Sequence, residues 1–377
     1  MKNIPYIDFY RKHIVSPVSQ DISDIEKHFE RRNSLYRHLG IIPLFLSGKN
    51  VIEFGPGCGY NSIYTNSLGP ALYVLVDGNP TGVNNTKNIL AQYATSSTSN
   101  YKVVESMIEE YQDSMTYDFV FCECLIPRQN DPTQFLKNIS KFVKPGGILV
   151  ITCVCSISWF SEALRRIMSY LIIDEADLIE QNLKKLRPFL EPQLKYLTHM
   201  SRPIDDWIID NILNPFNNSL LSIADAIEAL DEQFDIYGSS PHFCSDWRWY
   251  KELHGNYRKF NILAKETFYS NAHNLMDHRF LFPKRSVERN KYLIDLCNQI
   301  VKTRTEIEQN RNLDKLFYIL PKISEEIKTF SNEISDSIND YIQAIKYYKE
   351  YNKIPSLNGF MQFWGRGVQY LSFIKTK

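Results

Sequence analysis

Net charge is the first thing this sequence lacks: 43 Lys and Arg face 43 Asp and Glu. A zero balance supplies no general pull toward nucleic acid or an anionic membrane surface. A disulfide framework is missing too. The seven cysteines are odd in number, and 377 residues far exceed the small secreted folds that need such staples. Residues 1–13 hold Asp8, Arg11 and Lys12 and no apolar run, so no secretory signal is expected. The uncharged stretch 145–161 is too short to cross a bilayer and opens on Gly146-Gly147, as a buried strand would. Internal repeats and low-complexity linkers are absent. What remains is ordinary: 44% hydrophobic and 23% charged residues exclude wholesale disorder. The expectation is a cytoplasmic protein of roughly two to three domains. Aromatics, at 13%, fit either a dense core or a stacking pocket.

Between residues 50 and 155 short apolar runs alternate with helical spacing. Residues 51–54, 71–76, 101–104, 117–122 and 147–155 read as strands, and 61–67, 80–93 and 132–143 as helices. Strands apolar on both faces and separated by helices predict a doubly wound, mostly parallel α/β sheet. After Ser156 the spacing turns helical over 160–197, 220–234 and 285–351, with 234–237 as a short late strand. Leu220, Ile223, Ala224, Ile227 and Leu230 share one face, with Asn218 or Ser219 as N-cap. These spans divide the chain into an N-terminal helical cap (1–47), an α/β core (48–155), a helical lid or acceptor region with late strands (156–284) and a helical C-terminal extension (285–377).

Glu53-Phe-Gly55-Pro-Gly57-Cys-Gly59-Tyr60 lies where the first strand turns into a helix. Glycines there let a ligand approach the backbone, and the helix N-terminus offers unpaired N–H groups. No Lys follows Gly59, so the triphosphate loop Gly-x4-Gly-Lys-Ser/Thr is excluded. A dinucleotide loop would need a third Gly where Tyr60 stands. An acidic residue two positions before three alternating glycines remains. Asp77 ends the second strand 22 residues after Gly55, where a carboxylate can accept from both hydroxyls of a ribose.

Glu53-x-Gly55-x-Gly57-x-Gly59 resembles motif I of the class I S-adenosylmethionine-dependent methyltransferases. Val74-Leu-Val-Asp77-Gly78-Asn79-Pro80 is similar to motif II, and Tyr117-Asp-Phe-Val-Phe-Cys122-Glu123 to motif IV; the whole resemblance covers roughly residues 30–155. It implies S-adenosylmethionine as cofactor. Glu53 would accept from its ammonium, directly or through water, and Asp77, Gly78 and Asn79 would meet the ribose. Met107 stands where the family often has an Asp on the adenine amine, so apolar packing and a backbone contact near Ile108 are expected. Cys122 is expected beside the cofactor, and Arg32 or Tyr36, upstream of the core, near its carboxylate.

Asn/Asp-Pro-Pro-Tyr, which family enzymes acting on planar amines often carry after the fourth strand, is replaced by Cys122-Glu-Cys-Leu-Ile-Pro127. That argues against base or glutamine methylation. A small-molecule or glycan acceptor is expected, a sugar hydroxyl first, with a protein acceptor or a non-catalytic cofactor-binding scaffold as alternatives. A hydroxyl acceptor benefits from a base. Glu123 and the loop Pro241-His242-Phe-Cys-Ser-Asp246-Trp247-Arg248 are candidates, with His242 as base and Asp246 beside it; His199 reads as a structural helix residue. Cys122/Cys124 and Cys153/Cys155 do not have the usual metal-ligand spacing, and no metal is expected. The partners expected are the acceptor alone, without nucleic acid or a membrane span, and self-association through the C-terminal helices is allowed.

Overall fold

The computed structural model describes residues 5–93, 100–174, 176–216 and 219–376. Seven strands form one sheet: β1 (Asn50–Phe54), β2 (Leu72–Asp77), β3 (Tyr101–Glu105), β4 (Tyr117–Cys122), β5 (Val143–Cys153), β6 (Phe234–Ser240) and β7 (Gln369–Lys375). Their order across the sheet is β3-β2-β1-β4-β5-β7-β6. Neighbours among β1 to β5 run parallel, while β7 pairs antiparallel with both β5 and β6. Helices α1 (Pro5–His13) and α2 (Ile25–His38) precede the sheet. The crossovers carry α3 (Tyr60–Ser67), α4 (Pro80–Tyr93) and α5 (Pro132–Ser140). The expected doubly wound, mostly parallel sheet is what forms.

Two-sided burial explains the apolar runs. Ile52, Phe54, Val74 and Val76 enter one core, and Val51, Tyr73, Leu75, Phe119 and Phe121 the other, as the two-residue strand period requires. Between β5 and β6 the chain inserts α6 (Ser156–Ile172), α7 (Ile179–Leu194), α8 (Ile204–Ile208) and α9 (Ile223–Leu230). Residues Ile209–Leu213 continue α8 as a π-helical turn. After β6 come α10 (Phe260–Asn271), α11 (Val287–Asn310), α12 (Asp314–Lys328) and α13 (Asn332–Tyr351). Among the described residues no helix is long and apolar enough to cross a membrane.

Local details differ from the sequence reading. Asn218 lies outside the described residues, and α9 starts later than expected. Ser222 is its N-cap: Ser222 Oγ accepts from the Asp225 N–H at 3.1 Å, and the Asp225 carboxylate accepts from the Ser222 N–H at 3.0 Å. This reciprocal pair satisfies two otherwise orphaned donors, which Ser219 cannot reach. The C-terminal extension is helical only through α13. It then returns as β7, an interior strand wedged between β5 and β6.

Candidate active site

The site grows from the turn after β1. Gly55, Gly57 and Gly59 all have positive φ, at 73°, 60° and 77°. A Cβ on Gly55 would sit 2.7 Å from Leu125, and one on Gly57 2.6 Å from Val18. Only glycine holds this conformation in that space. Gly59 is the N-cap of α3 and packs toward Thr86 and Ile89 of α4, so its role is to let the turn close on the neighbouring helix.

Two buried carboxylates flank the turn. Asp77, at the end of β2, accepts from the Asn79 N–H at 2.8 Å and the Gly57 N–H at 3.0 Å. Burial pushes it up to about 6 despite those bonds and the nearby Arg11. Glu53 Oε2 accepts from Ser62 Oγ at 2.8 Å and from Tyr73 Oη, while no described residue donates to Oε1. Burial, then the charge of Glu123, pushes Glu53 up to about 7. Each carboxyl would gain by receiving a ligand's donors or positive charge. A phosphate would meet two carboxylates and be repelled.

A cavity of about 340 Å³ opens beside these groups, lined by Glu53, Gly55, Gly57, Asn61, Asp77, Gly78, Asn79, Met107 and Ile108. It lies at the carboxyl ends of β1, β2 and β4, where the strand order reverses between β1 and β4, the usual place for a ligand in such folds. The acceptor set suits a nucleoside with two free hydroxyls and a cationic amino-acid end. Met107 closes one side: a Cβ on Gly78 would lie 2.8 Å from its sulfur. Helix α1 supplies a roof, with Tyr6, Ile7 and Tyr10 lining the cavity. Arg11 ties that roof down, donating from Nη2 to the Gly78 carbonyl at 2.6 Å. Asn79 does the same from below, donating to the Val15 carbonyl at 3.0 Å.

Several expected contacts are not made. Arg32 does not reach the cavity; its guanidinium forks onto Glu123, Nη1 to Oε2 at 2.9 Å and Nη2 to Oε1 at 2.5 Å. Glu123 also accepts from Asn61 Nδ2 at 3.1 Å, so its lone pairs are committed although it borders the cavity. Tyr36 is wholly buried, stacked on Phe121 and hydrogen-bonded to Thr65. Cys122 faces the core under the sheet and not the cavity. His242 lines a separate cavity with Phe243, Phe268 and Leu275. Asp246 is consumed by Arg248, and Trp247 is 92% exposed. The reason is positional: this loop follows β6, the far edge of the sheet from β1 and β2.

A second cavity, about 410 Å³, adjoins the first. Gln20, Cys124, Arg128, Arg202, Asp210 and Val368 line both. Cys124 sits there at φ 58°, a conformation unusual for a side chain of its kind, with its N–H given to Thr152 Oγ1 at 2.6 Å. The outer wall comprises Trp159, Glu162 and Arg166 of α6, Trp207 of α8, and Phe216. His199 is at its rim, in a turn after α7 and exposed, not in a helix interior. Of the two carboxylates lining this space, Asp210 feels burial upward but is held below its usual range by Arg128 and Arg202, while burial pushes Glu162 up. Hydrophobic spacing alone did not single out these residues, because they come from α6, α8 and several turns far apart in the chain. Among the described residues no group of three His, Cys, Asp or Glu gathers as a metal site.

Residues 46–191 match a family model described as a methyltransferase domain. No curated protein matches the sequence. Among solved structures, PKMT2 from Rickettsia typhi is 16% identical with a TM-score of 0.41, covering 55% of this chain; this chain covers 42% of that one. The N-methyltransferase NodS of Bradyrhizobium japonicum WM9 is 16% identical with a TM-score of 0.32, over 41% of this chain and 75% of its own. The magnesium protoporphyrin IX methyltransferase of Synechocystis PCC 6803 is 15% identical with a TM-score of 0.36, over 63% and 88%. The matched segment holds the glycine turn and its two flanking carboxylates: over residues 46–191 the chain matches a methyltransferase domain.

Proposed function

We propose that this protein moves a methyl group from S-adenosylmethionine to a small-molecule or glycan acceptor, with a sugar hydroxyl as the receiving group. The observation that carries this reading is the second cavity: it shares a wall with the first and is sized for one or two rings, not for a polypeptide segment lying on an open face. When bound, the cofactor supplies an electrophilic methyl on a sulfonium. Asp77 and Glu53 would hold its ribose and ammonium, and the glycine turn would admit its backbone-close approach. The Arg32–Glu123 pair and Asn61 keep the floor rigid.

Transfer to a hydroxyl needs alignment, exclusion of water and a place for the proton. Glu162 replaces His242 as our candidate for that last task. It lines the second cavity, accepts from Ser161 Oγ at 2.6 Å, and burial raises it above the ordinary carboxylate range. Asp210 is a poor base, since two guanidiniums favour its charged form.

Incubation with methyl-labelled cofactor and a fractionated extract tests the reading. Label in the small-molecule or glycan fraction supports it. Label on protein favours a protein acceptor, and tight cofactor binding without transfer favours a scaffold.

A further inference from the structure

Charge around the second cavity does not balance. At its junction with the first, Asp210 accepts from Arg202 Nη1 at 2.6 Å and pairs with Arg128 Nη2 at 3.0 Å. Two guanidiniums thus share one carboxylate. On the outer wall Arg166 donates from Nε to Glu308 at 2.7 Å. The Arg128–Asp210–Arg202 set keeps one surplus positive charge. Glu162 lines the same cavity, and burial pushes its carboxyl up. Buried surplus charge is costly unless something pairs with it.

The geometry adds a direction. Arg202 is 24% exposed, and among the described residues nothing accepts from its Nε or Nη2. A guanidinium with one edge engaged and the other presented to a cavity suits a two-oxygen anion. The Trp159 and Phe216 rings, 4.7 Å apart and tilted by 43°, give the same cavity an aromatic surface. A ring-shaped ligand can lie on such a surface with its polar edge turned to the arginines.

We propose that the second cavity takes an acceptor with a ring and an anionic group, carboxylate or phosphate, the anion held by Arg202 at the Arg128–Asp210 junction and the ring against Trp159 and Phe216. This rests on the methyltransferase reading and specifies its acceptor class. An acidic or phosphorylated sugar satisfies both.

Calorimetry on the full chain saturated with S-adenosylhomocysteine tests it, using glucose, glucuronic acid and glucose 6-phosphate at one ionic strength. The expected result is that at least one charged ring binds about tenfold or more tightly than glucose, a difference of about 1.4 kcal/mol. Which charged ring wins distinguishes carboxylate from phosphate. Arg202→Gln should remove the preference, Arg202→Lys should keep part of it, and homocysteine-nucleoside affinity should stay within about threefold in both. Equal or absent binding of all three rings by the loaded protein overturns the assignment. So does a loss of S-adenosylhomocysteine affinity in Arg202→Gln as large as the loss of ring binding, which would give Arg202 to the cofactor's carboxylate. Failure of the wild type to bind S-adenosylhomocysteine at all is a separate result and overturns the methyltransferase reading with it.

Discussion

Asp77 and Glu53 carry most of the cofactor chemistry we infer, and each makes a distinct prediction. Asp77 is a buried acceptor whose remaining lone pairs face the cavity. Asp77→Ala should weaken S-adenosylhomocysteine binding by more than about 1 kcal/mol, roughly fivefold, as read by calorimetry. Unchanged affinity would remove Asp77 from the site. Glu53 bears on pH. In the native protein it keeps its proton up to about pH 7, against an ordinary value of 4.5. The native state therefore binds more protons than the unfolded chain in that window, and the stability Glu53 contributes is lost as pH rises from about 4.5 through 7. Glu53→Gln should melt higher than wild type above pH 7, with the gap closing below about pH 5. Ligand affinity runs the other way: an ammonium needs the charged carboxylate, so wild-type affinity should rise with pH through 7 while the variant's stays flat. A flat wild-type profile would mean that Glu53 does not meet the cation. For turnover, Glu162→Gln should lower methyl transfer about a hundredfold with cofactor affinity retained; near-full activity would place the base elsewhere.

Two elements that the core motifs do not announce complete the site. Helix α1 is amphipathic and short, buries Tyr6, Ile7 and Tyr10, and is anchored through Arg11 to Gly78. Arg11→Ala should speed S-adenosylhomocysteine release several-fold in stopped-flow measurements and expose residues near 15–20 to protease, because one charge-assisted bond to the loop is lost. Equal release rates would mean that α1 is only packing. Strand β7 is the last regular element and yet lies inside the sheet, hydrogen-bonded on both sides. A chain ending at Arg366 would leave β5 and β6 without their shared partner, two raw edges at once. It should show no cooperative thermal transition, and a normal melt would contradict the sheet order.

At the scale of the whole molecule, the cofactor assignment we propose predicts that the first cavity selects for a cationic nucleoside against phosphates. Saturating S-adenosylhomocysteine, at about 100 times its dissociation constant, should add about 2.7 kcal/mol of stability and raise the melting temperature by a few degrees. ATP and NADH should leave it unchanged, since their phosphates would face Asp77 and Glu53. A shift with either nucleotide and none with S-adenosylhomocysteine would refute the cofactor assignment.

The local code was legible where physics is local. The alternation from Val51 to Cys153 dictated a parallel sheet because strands covered on both faces must be continuously apolar. Gly55, Gly57 and Asp77 could be read because a tight ligand-facing turn and a strand-end carboxylate are short-range requirements. Burial and pairing are not. Glu123 looked like a free carboxylate until Arg32, 91 residues away, was seen to fork onto it. His242 looked reactive until the sheet order put β6 at the opposite edge from β2. The Arg128–Asp210–Arg202 junction joins a turn after β4 to the segment around α8, and no spacing rule links such positions. These decisions belong to tertiary structure, because chain folding alone sets which charges meet and which are left facing a cavity.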